Sequence, residues 1–395
     1  MLDAIKAESG LTVHVLAPEV ETLFGAMGAR SGFSHVSGLF LDLGGGSVQM
    51  TYMNSNTGDY AIPAARAGKS LPFGAAKLIN TLEKSEVKVR DAALDELRLG
   101  MHRAFARLEQ EFPMLKDTQG EPSRAGIDVY LCGGGFRGYG SILMHNDPVQ
   151  PYPIPSIGAY TVKGDLFKQT DIMRKLNAEY EGKVFGMSKR RRKQFPAIVT
   201  VVEALISAIP RIRTVTFCSG GNREGVLLLK LPPNIREACP LPSLPYGQEI
   251  RPIALEAITG ALESAIPLNA AQSNIPTVFT LGLGPLFAGE IWTRMGEPSE
   301  TNASFQLHRS LTRDSSAPGL THLARAILGL TLCFRWGATL GPIDQQLFNS
   351  IQRLVSEVSS EAIFWAQYIG ETAHLLSKLC PFAPSSQSQL EKNVG

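Results

Sequence analysis

Cysteine is scarce in this sequence, with only five (Cys132, Cys218, Cys239, Cys333 and Cys380) among 395 residues. None stands in a CxxC or Cys/His ligand spacing, which excludes a zinc ribbon and a disulfide framework as organising devices. A reducing, cytoplasmic setting is the expectation. Excess charge is also missing: 38 basic residues against 36 acidic ones leave a formal net charge of +2. So small a surplus gives no general attraction to nucleic acid or to a membrane surface, and neither DNA nor a membrane is an expected partner. The longest apolar stretch, residues 323–340, is broken by Arg325 and Arg335, too costly for a membrane span and better suited to a buried helix. Met1-Leu2-Asp3-Ala4-Ile5-Lys6 carries no apolar run behind a basic start, so no secretory leader is expected. No solenoid repeat is visible. What remains is a chain with 44% hydrophobic residues, long enough to bury one large core or several ordinary ones.

Residues 11–16 alternate and are rich in β-branched side chains, which predicts a strand, and Pro18-Glu19-Val20-Glu21 then opens a helix with proline and acids in its first turn. Residues 38–53 read as strand, glycine turn, strand, with Leu39-Phe40-Leu41 before the turn and Val48-Gln49-Met50-Thr51-Tyr52 after it. Helical periodicity covers residues 75–82 and 89–111. The strand Ile127-Asp128-Val129-Tyr130-Leu131-Cys132 runs directly into Gly133-Gly134-Gly135-Phe136-Arg137. The arrangement returns where Val215-Thr216-Phe217-Cys218 meets Ser219-Gly220-Gly221-Asn222-Arg223-Glu224. Residues 148–155 form a proline-rich loop, and an apolar helix over 196–209 follows the basic run 189–193. Prolines 232, 233, 240, 242 and 245 mark a domain junction over 231–246. Beyond it, helices are expected over 253–266, 320–340, 343–358 and 361–379, followed by a polar, frayed tail over 385–395.

The chemistry centres on Asp42-Leu43-Gly44-Gly45-Gly46-Ser47. An aspartate just before such a turn gathers a carboxylate, several backbone N–H donors and a hydroxyl around one small volume. That set suits a phosphate with a bound cation or an attacking water. The glycines 133–135 alone serve equally well as a purely conformational turn. Arg137 and Arg223, each just past a glycine turn, are phosphate candidates because guanidinium forks match such oxygens. The basic run 189–193 has three readings: a solvated helix entrance, a contact surface for polyphosphate or nucleotide, or a nuclear-import signal.

The stretch Phe40-Leu41-Asp42-Leu43-Gly44-Gly45-Gly46-Ser47-Val48-Gln49, with Glu21 upstream in Pro18-Glu19-Val20-Glu21-Thr22-Leu23-Phe24-Gly25-Ala26-Met27-Gly28, resembles the exopolyphosphatase and guanosine-pentaphosphate phosphohydrolase (Ppx/GppA) family. Gly220-Gly221-Asn222-Arg223-Glu224-Gly225-Val226 is similar to that family's later glycine-glycine-leucine-arginine-glutamate-glycine turn. Gly68-Lys69-Ser70-Leu71-Pro72-Phe73-Gly74-Ala75-Ala76 looks most like a fungal branch concerned with retrograde regulation. The resemblance covers residues 1–230 well and the helical remainder loosely. It implies an α/β, actin-like (ribonuclease-H-like) phosphatase fold followed by an all-α C-terminal region. The implied division is a remnant of a first actin-like domain over 1–37, a second over 38–232 and a helical domain over 247–395. It further implies Glu21 as general base on an attacking water and Asp42, Gly44, Gly45, Gly46 and Ser47 as holders of phosphate, with Asp42 also ligating Mg²⁺. Gly134, Gly135, Arg137, Gly220, Gly221 and Arg223 would complete the phosphate set. The implied ligand is polyphosphate or a guanosine or adenosine polyphosphate nucleotide. The implied role is a regulator that relays mitochondrial or nutrient state through a signalling protein partner, with an active exopolyphosphatase or guanosine-pentaphosphate phosphohydrolase as the alternative. Taken without the family, Glu21 is a first-turn acid that complements a helix dipole.

The chain departs from the family pattern at three points. Gln49 stands where the enzyme branch has glutamate, and an amide neither takes up a proton at neutral pH nor ligates a cation with full charge. The family's opening strand and aspartate-glycine-serine loop do not precede Met1, so half of the phosphate clamp is expected to be missing. His322 and His374 stand singly, so no His-Asp metal site is expected and each is read as a helix-surface histidine.

Overall fold

The computed structural model describes residues 2–13, 15–116, 126–244, 250–267 and 275–394. The glycine turn joins β1 (Ser37–Leu43) to β2 (Val48–Asn54), an antiparallel hairpin in which Leu43 faces Val48 and Asp42 faces Gln49. Two short strands, β3 (Lys69–Leu71) and β5 (Tyr160–Lys163), and two longer ones, β4 (Ile127–Cys132) and β6 (Ile212–Phe217), complete a six-stranded sheet of order β3-β2-β1-β4-β6-β5. β1, β4 and β6 run parallel, while β2, β3 and β5 are antiparallel to their neighbours. A sheet buried on both faces cannot alternate polar with apolar, and β2 accordingly reads as Val-Gln-Met-Thr-Tyr-Met with nearly every residue buried.

Side-chain parity sorts the two faces. Leu39, Leu41 and Leu43 of β1, Val129 and Leu131 of β4, and Val215 and Phe217 of β6 enter the larger sheet core. Phe40, Met53, Cys132 and Cys218 point the other way, toward α1 (Pro18–Arg30). The larger core is covered by α2 (Ala75–Lys84), α3 (Val87–Glu111), α4 (Gly133–His145) and α5 (Lys189–Ala208), whose apolar residues join it. On the opposite face α1 packs against α6 (Asn222–Lys230). Their backbones approach so closely that a Cβ on Gly28 would collide with the Gly221 carbonyl, and one on Gly220 with the Gly28 carbonyl. Only glycine fits such a crossing.

Past the proline-rich stretch a second core is built mostly from helices, and Ile154 of the 148–155 loop is buried in it. It includes residues of α7 (Pro252–Ser264), α8 (Glu300–Thr312), α9 (His322–Arg335), α10 (Pro342–Ser356) and α11 (Glu361–Leu379). The two arginines of the apolar stretch lie inside it. Arg325 donates to the carbonyls of Leu320, Arg313 and Asp314, and Arg335 lies over the Trp336 ring at 3.9 Å. Burial pushes both guanidinium groups down to about 10. No described helix is long and apolar enough to cross a membrane.

Four expectations change. The predicted strand over 11–16 is absent among its described residues: Leu11, Val13, Val15 and Leu16 are exposed and no neighbouring strand offers a ladder. The helix expected over 196–209 begins seven residues earlier, at Lys189, where Ser188 caps it by accepting from the Arg191 N–H. Pro196 is tolerated inside because the carbonyl its missing N–H leaves open, that of Arg192, accepts from Asn177 Nδ2 at 3.4 Å. The tail is not frayed, since α12 (Gln387–Val394) buries Leu390 against the helical core. His322 is no surface residue either: it is 4% exposed and bonded at both ring nitrogens. Of the proline junction, residues 245 and 246 lie outside the described residues.

Candidate phosphate site

The three glycine turns sit at the carboxyl ends of the three parallel strands, the edge at which open α/β sheets gather ligands. Parity places Asp42 and Gln49 on the same face as Phe40, toward α1. Two glycines make room for the Asp42 carboxylate. Gly25 of α1 presents bare backbone to Oδ2, and a Cβ on Gly133 would collide with Oδ1. Gly133 also takes φ +84°, a conformation that strongly favours glycine. Burial pushes the Asp42 carboxyl above its ordinary range; Arg137 and the Cys132 thiol pull it back, and Glu21 pushes it up again. Glu21 thus acts electrostatically on Asp42. Its own carboxylate is half-buried and accepts no hydrogen bond from the described residues.

The loop between Asp42 and Val48 is held by its carbonyls. Gly44 O accepts from the Ala75 N–H, and Gly45 O from the N–H groups of Ala76 and Lys77, each at 3.0 Å. These donors are the otherwise unsatisfied first turn of α2, so the helix start fixes the loop. The N–H groups of Gly45, Gly46 and Ser47 make no hydrogen bond to the described residues, and Gly45 and Gly46 are exposed. A Cβ on Gly46 would meet open space. The loop therefore carries a row of donors without acceptors among the described residues, backed on one side by Gly74, where a Cβ would collide with the Gly46 and Ser47 nitrogens, and open at Gly46; a row of that kind is how backbone cradles hold an anion.

The second turn sits across from the first. Gly134 and Gly135 begin α4, where helical N–H groups lack an intrahelical acceptor. Arg137 is half-buried and anchored by Nη1 to the Ser219 carbonyl at 3.1 Å, with the Cys218 carbonyl at 3.5 Å. It forms no salt bridge among the described residues, and its charge acts on both Asp42 and Arg191.

The third turn is spent differently. Gly220 and Gly221 are packed against the Gly28 backbone of α1, and the Gly221 N–H donates to Glu224 Oε2 at 2.8 Å, so this helix start already carries a carboxylate. Arg223 is exposed and unpartnered among the described residues. Asp42, Glu21, Gly134, Gly135 and Arg137 are thus brought together with the Gly44–Ser47 loop, whereas Gly220 and Gly221 serve first to dock α1.

Sequence reasoning missed two members of the site, Gly25 and Asn222, and did not single out a third, Arg191, from a basic run for which a phosphate-contact surface was one of three readings. Gly25 and Asn222 flank the Asp42 carboxylate, each 3.1 Å contact being measured from where a Gly25 Cβ would stand. Arg191, part of the basic run, reaches Gly134 from α5, with Nη2 and Nε 3.8 and 3.9 Å from where a Gly134 Cβ would stand. No spacing in the chain announces contacts between residues so far apart. The basic run itself occupies the first turn of α5, where the helix dipole opposes each positive charge by about 0.3–1 kcal/mol.

The site suits a magnesium ion only in part. Asp42, Glu21, Ser47 Oγ and the buried, unpartnered Asn222 Oδ1 are hard oxygen donors of the kind Mg²⁺ takes. Among the described residues no group of three His, Cys, Asp or Glu could hold a metal by itself. Such a donor set fits an ion shared with phosphate and water rather than an all-protein cage.

A mixed sheet of this order, with helices on both faces and a helical C-terminal region, is an actin-like α/β arrangement. The chain belongs to the Ppx/GppA phosphatase family, which its residues 1–234 match, while residues 247–393 match the RTG2 C-terminal domain. It is similar to Retrograde regulation protein 2 of Saccharomyces cerevisiae (strain ATCC 204508 / S288c), with 29% identity over 395 residues, and covers 96% of this chain and 64% of that protein. The chain therefore spans a little under two thirds of that relative. Among solved structures it is similar to the Aquifex aeolicus Ppx/GppA family member, at 18% identity and TM-score 0.40, over 57% of this chain and 66% of that one. An exopolyphosphatase from Cytophaga hutchinsonii ATCC 33406 matches at 19% identity and TM-score 0.38, over 57% of this chain and 67% of that one.

Proposed function

We propose that this protein is a regulator that binds a phosphate-rich ligand, polyphosphate or a guanosine or adenosine polyphosphate nucleotide, and relays its presence to a signalling partner in the cytoplasm. The observation that carries the reading is the loop at Gly45, Gly46 and Ser47, whose carbonyls are tied to α2 while its N–H groups remain free. Donors fixed in this way lose little entropy on meeting an anion, and Arg137 supplies charge beside them. The name of the yeast relative, Retrograde regulation protein 2, supports retrograde regulation as the setting, which we take to be mitochondria-to-nucleus or nutrient signalling. On this reading residues 38–232 hold the ligand, with Glu21 and Gly25 of α1 beside it, and the helical domain over 247–395 presents the partner surface. Mg²⁺ would be held by Asp42 together with the ligand's phosphates, and there it would neutralise phosphate charge. Arg223, exposed in the first turn of α6, would reach the ligand only from the rim.

Calorimetric titration of the protein with guanosine tetraphosphate, ATP and short polyphosphate tests the reading. Heat from at least one, abolished by Arg137→Gln, is the expected result; no binding to any of the three would overturn it.

Hydrolysis is the second reading, favoured by the unbonded carboxylate of Glu21 close to Asp42. A base so placed could take a proton from water attacking a phosphorus held in the loop. Phosphate release with Mg²⁺ from the wild type but not from Glu21→Gln would establish it, and equal background from both would sink it.

A further inference from the structure

Arg30, Arg325 and Arg335 are almost wholly buried, and the first two have their charge met. Arg30 is paired with Glu237 and donates to the Arg236 carbonyl at 3.3 Å; its Nε lacks an acceptor, but the guanidinium is neutralised. Arg325 spreads its donors over the carbonyls of Leu320, Arg313 and Asp314. Arg335, 3% exposed at the end of α9, has neither kind of partner. It forms no salt bridge among the described residues, and its Nε–H finds no acceptor there. Its one hydrogen bond among them runs from Nη1 to His374 Nδ1 at 3.5 Å, the outer limit of such a contact. Trp336, on whose ring the guanidinium rests, is fully buried and its Nε1–H also lacks an acceptor, whereas Trp292 Nε1 donates to the Cys380 carbonyl at 2.8 Å. Buried donors left without acceptors cost free energy, and a buried charge left without compensation costs more. A cation in the last turn of a helix complements the dipole, but that role is served at the surface and needs no burial.

Exposure rises in steps from Arg335 to the surface. His374 of α11 is half-buried, and beyond it Lys378 and Glu297 are exposed and paired at 3.0 Å. Burial, then Arg335 and Lys378, hold the His374 pKa below its ordinary value, so two cations act on one small volume. The acid whose charge reaches Arg335 is Glu297, and it acts from the surface. With Nη1 on His374, the free edge of the guanidinium is the Nε–Nη2 side, which matches the two oxygens of a carboxylate. We propose that Arg335, with His374 and Lys378 leading to it, forms a carboxylate-binding site in the helical region, with Glu297 at its mouth competing for Lys378. The proposal rests on the reading above only in placing a partner surface on the helical domain. The chemistry specified is the carboxylate; an acidic side chain of a partner protein and a free small acid are separated by the test.

The test is the fluorescence anisotropy of a labelled, blocked penta-aspartate peptide titrated with the full chain at fixed ionic strength, with acetate and unlabelled peptide as competitors. The wild type should bind the peptide. Arg335→Met keeps an unbranched stem over Trp336 and should weaken binding about tenfold, the scale of a charge-assisted hydrogen bond. The same variant should melt at the wild-type temperature or above it, because it removes a buried charge that no acid beside it neutralises. Arg335→Lys should recover part of the affinity, since it keeps the charge without the fork. Lys378→Gln, at an exposed position, should cost about threefold, and Glu297→Gln, which frees Lys378, should tighten binding by a similar factor. Lys193→Gln, in the exposed basic run of α5, should leave binding unchanged. Displacement by acetate at matched carboxylate concentration assigns the site to a free acid, and displacement by the unlabelled peptide alone assigns it to a protein side chain. Wild-type affinity in Arg335→Met, a loss in Lys193→Gln as large as that in Arg335→Met, or no binding by the wild type would overturn the proposal. None of these results touches the phosphate-binding reading, which is tested with different ligands.

Discussion

His322 of α9 donates through Nε2 to the carbonyl oxygen of Gly158, 3.1 Å away, and so ties the helical core to the loop before β5. A carbonyl only accepts, which fixes the proton on Nε2 and leaves Nδ1 to accept from the Tyr152 hydroxyl at 2.7 Å. Gly158 in turn packs against Ser219, whose carbonyl anchors Arg137. The contact thus links the helical region to the phosphate site through a short series of touching residues.

This histidine makes the protein acid-sensitive. Burial first, and then Arg325, push its pKa from 6.5 down to about 3. A group whose proton affinity falls on folding favours the unfolded chain when protonated. Its stability contribution is therefore complete above about pH 6.5 and drains away as pH falls toward about 3. Each pH unit in that window costs about 1.4 kcal/mol. Urea midpoints measured at neutral and mildly acid pH should fall steeply for the wild type. His322→Gln should be less stable at neutral pH but flatter in its response, and an identical acid loss in both proteins would refute the assignment.

Two kinds of glycine are expected to part company on mutation. Gly28→Ala drives a methyl group into the Gly221 carbonyl, and Gly133→Ala meets both Asp42 and an unfavourable φ. Each should destabilise the fold by about 3 kcal/mol or more. Gly46→Ala meets nothing within the protein, so its melting temperature should stay near that of the wild type while phosphate binding weakens. Loss of stability in Gly46→Ala with binding intact would mean that the loop's glycines serve the fold alone.

A stability test lies away from the site. Glu290 is 1% exposed and shared by Arg309 at 3.2 Å and Arg313 at 2.9 Å. Glu290→Gln keeps the shape and removes the charge, leaving two guanidinium groups around a neutral amide. A loss of about 3 kcal/mol in urea unfolding is expected, and a change near zero would show that solvent already relieves both arginines.

The strands and their glycine ends were legible because both signals are local: apolar runs of strand length, then residues without side chains. Asp42 and Arg137 were singled out on that basis, and the structure places both at the ends of parallel strands β1 and β4. What escaped was set by tertiary contact. Residues 11–16 have a strand's composition, yet strand formation needs a neighbour's ladder, which composition cannot supply. Pro196 looked like a helix start because a missing N–H is cheapest there; only Asn177, brought in from another helix, lets it sit inside. His322 is single in sequence, but the partners that bury it, Tyr152 and Gly158, lie far upstream. The glycines 220 and 221 carried a correct motif whose first use in the structure is docking α1.

The sharpest question about the site concerns Gln49, which faces Asp42 across the hairpin on the α1 side. Gln49 is 5% exposed, and its Nε2 donates to Ser47 Oγ at 2.8 Å, an arrangement that orders the loop without adding charge. Gln49→Glu removes that donor and sets a second carboxylate opposite the first. Without a cation the two acids repel, so one binds a proton more tightly and the protein should lose about 1–2 kcal/mol of stability. With Mg²⁺, two carboxylates, the Ser47 hydroxyl and water make a more complete oxygen set, and the ion should raise the melting temperature of Gln49→Glu more than that of the wild type. If Glu21 is a competent base, the same variant should release phosphate from polyphosphate in a Mg²⁺-dependent manner, and adding Glu21→Gln should abolish it. A melting temperature equally indifferent to Mg²⁺ in both proteins would mean that the face shared by residues 42 and 49 is not where a cation binds, and the glutamine would then be read as a fastening of the loop.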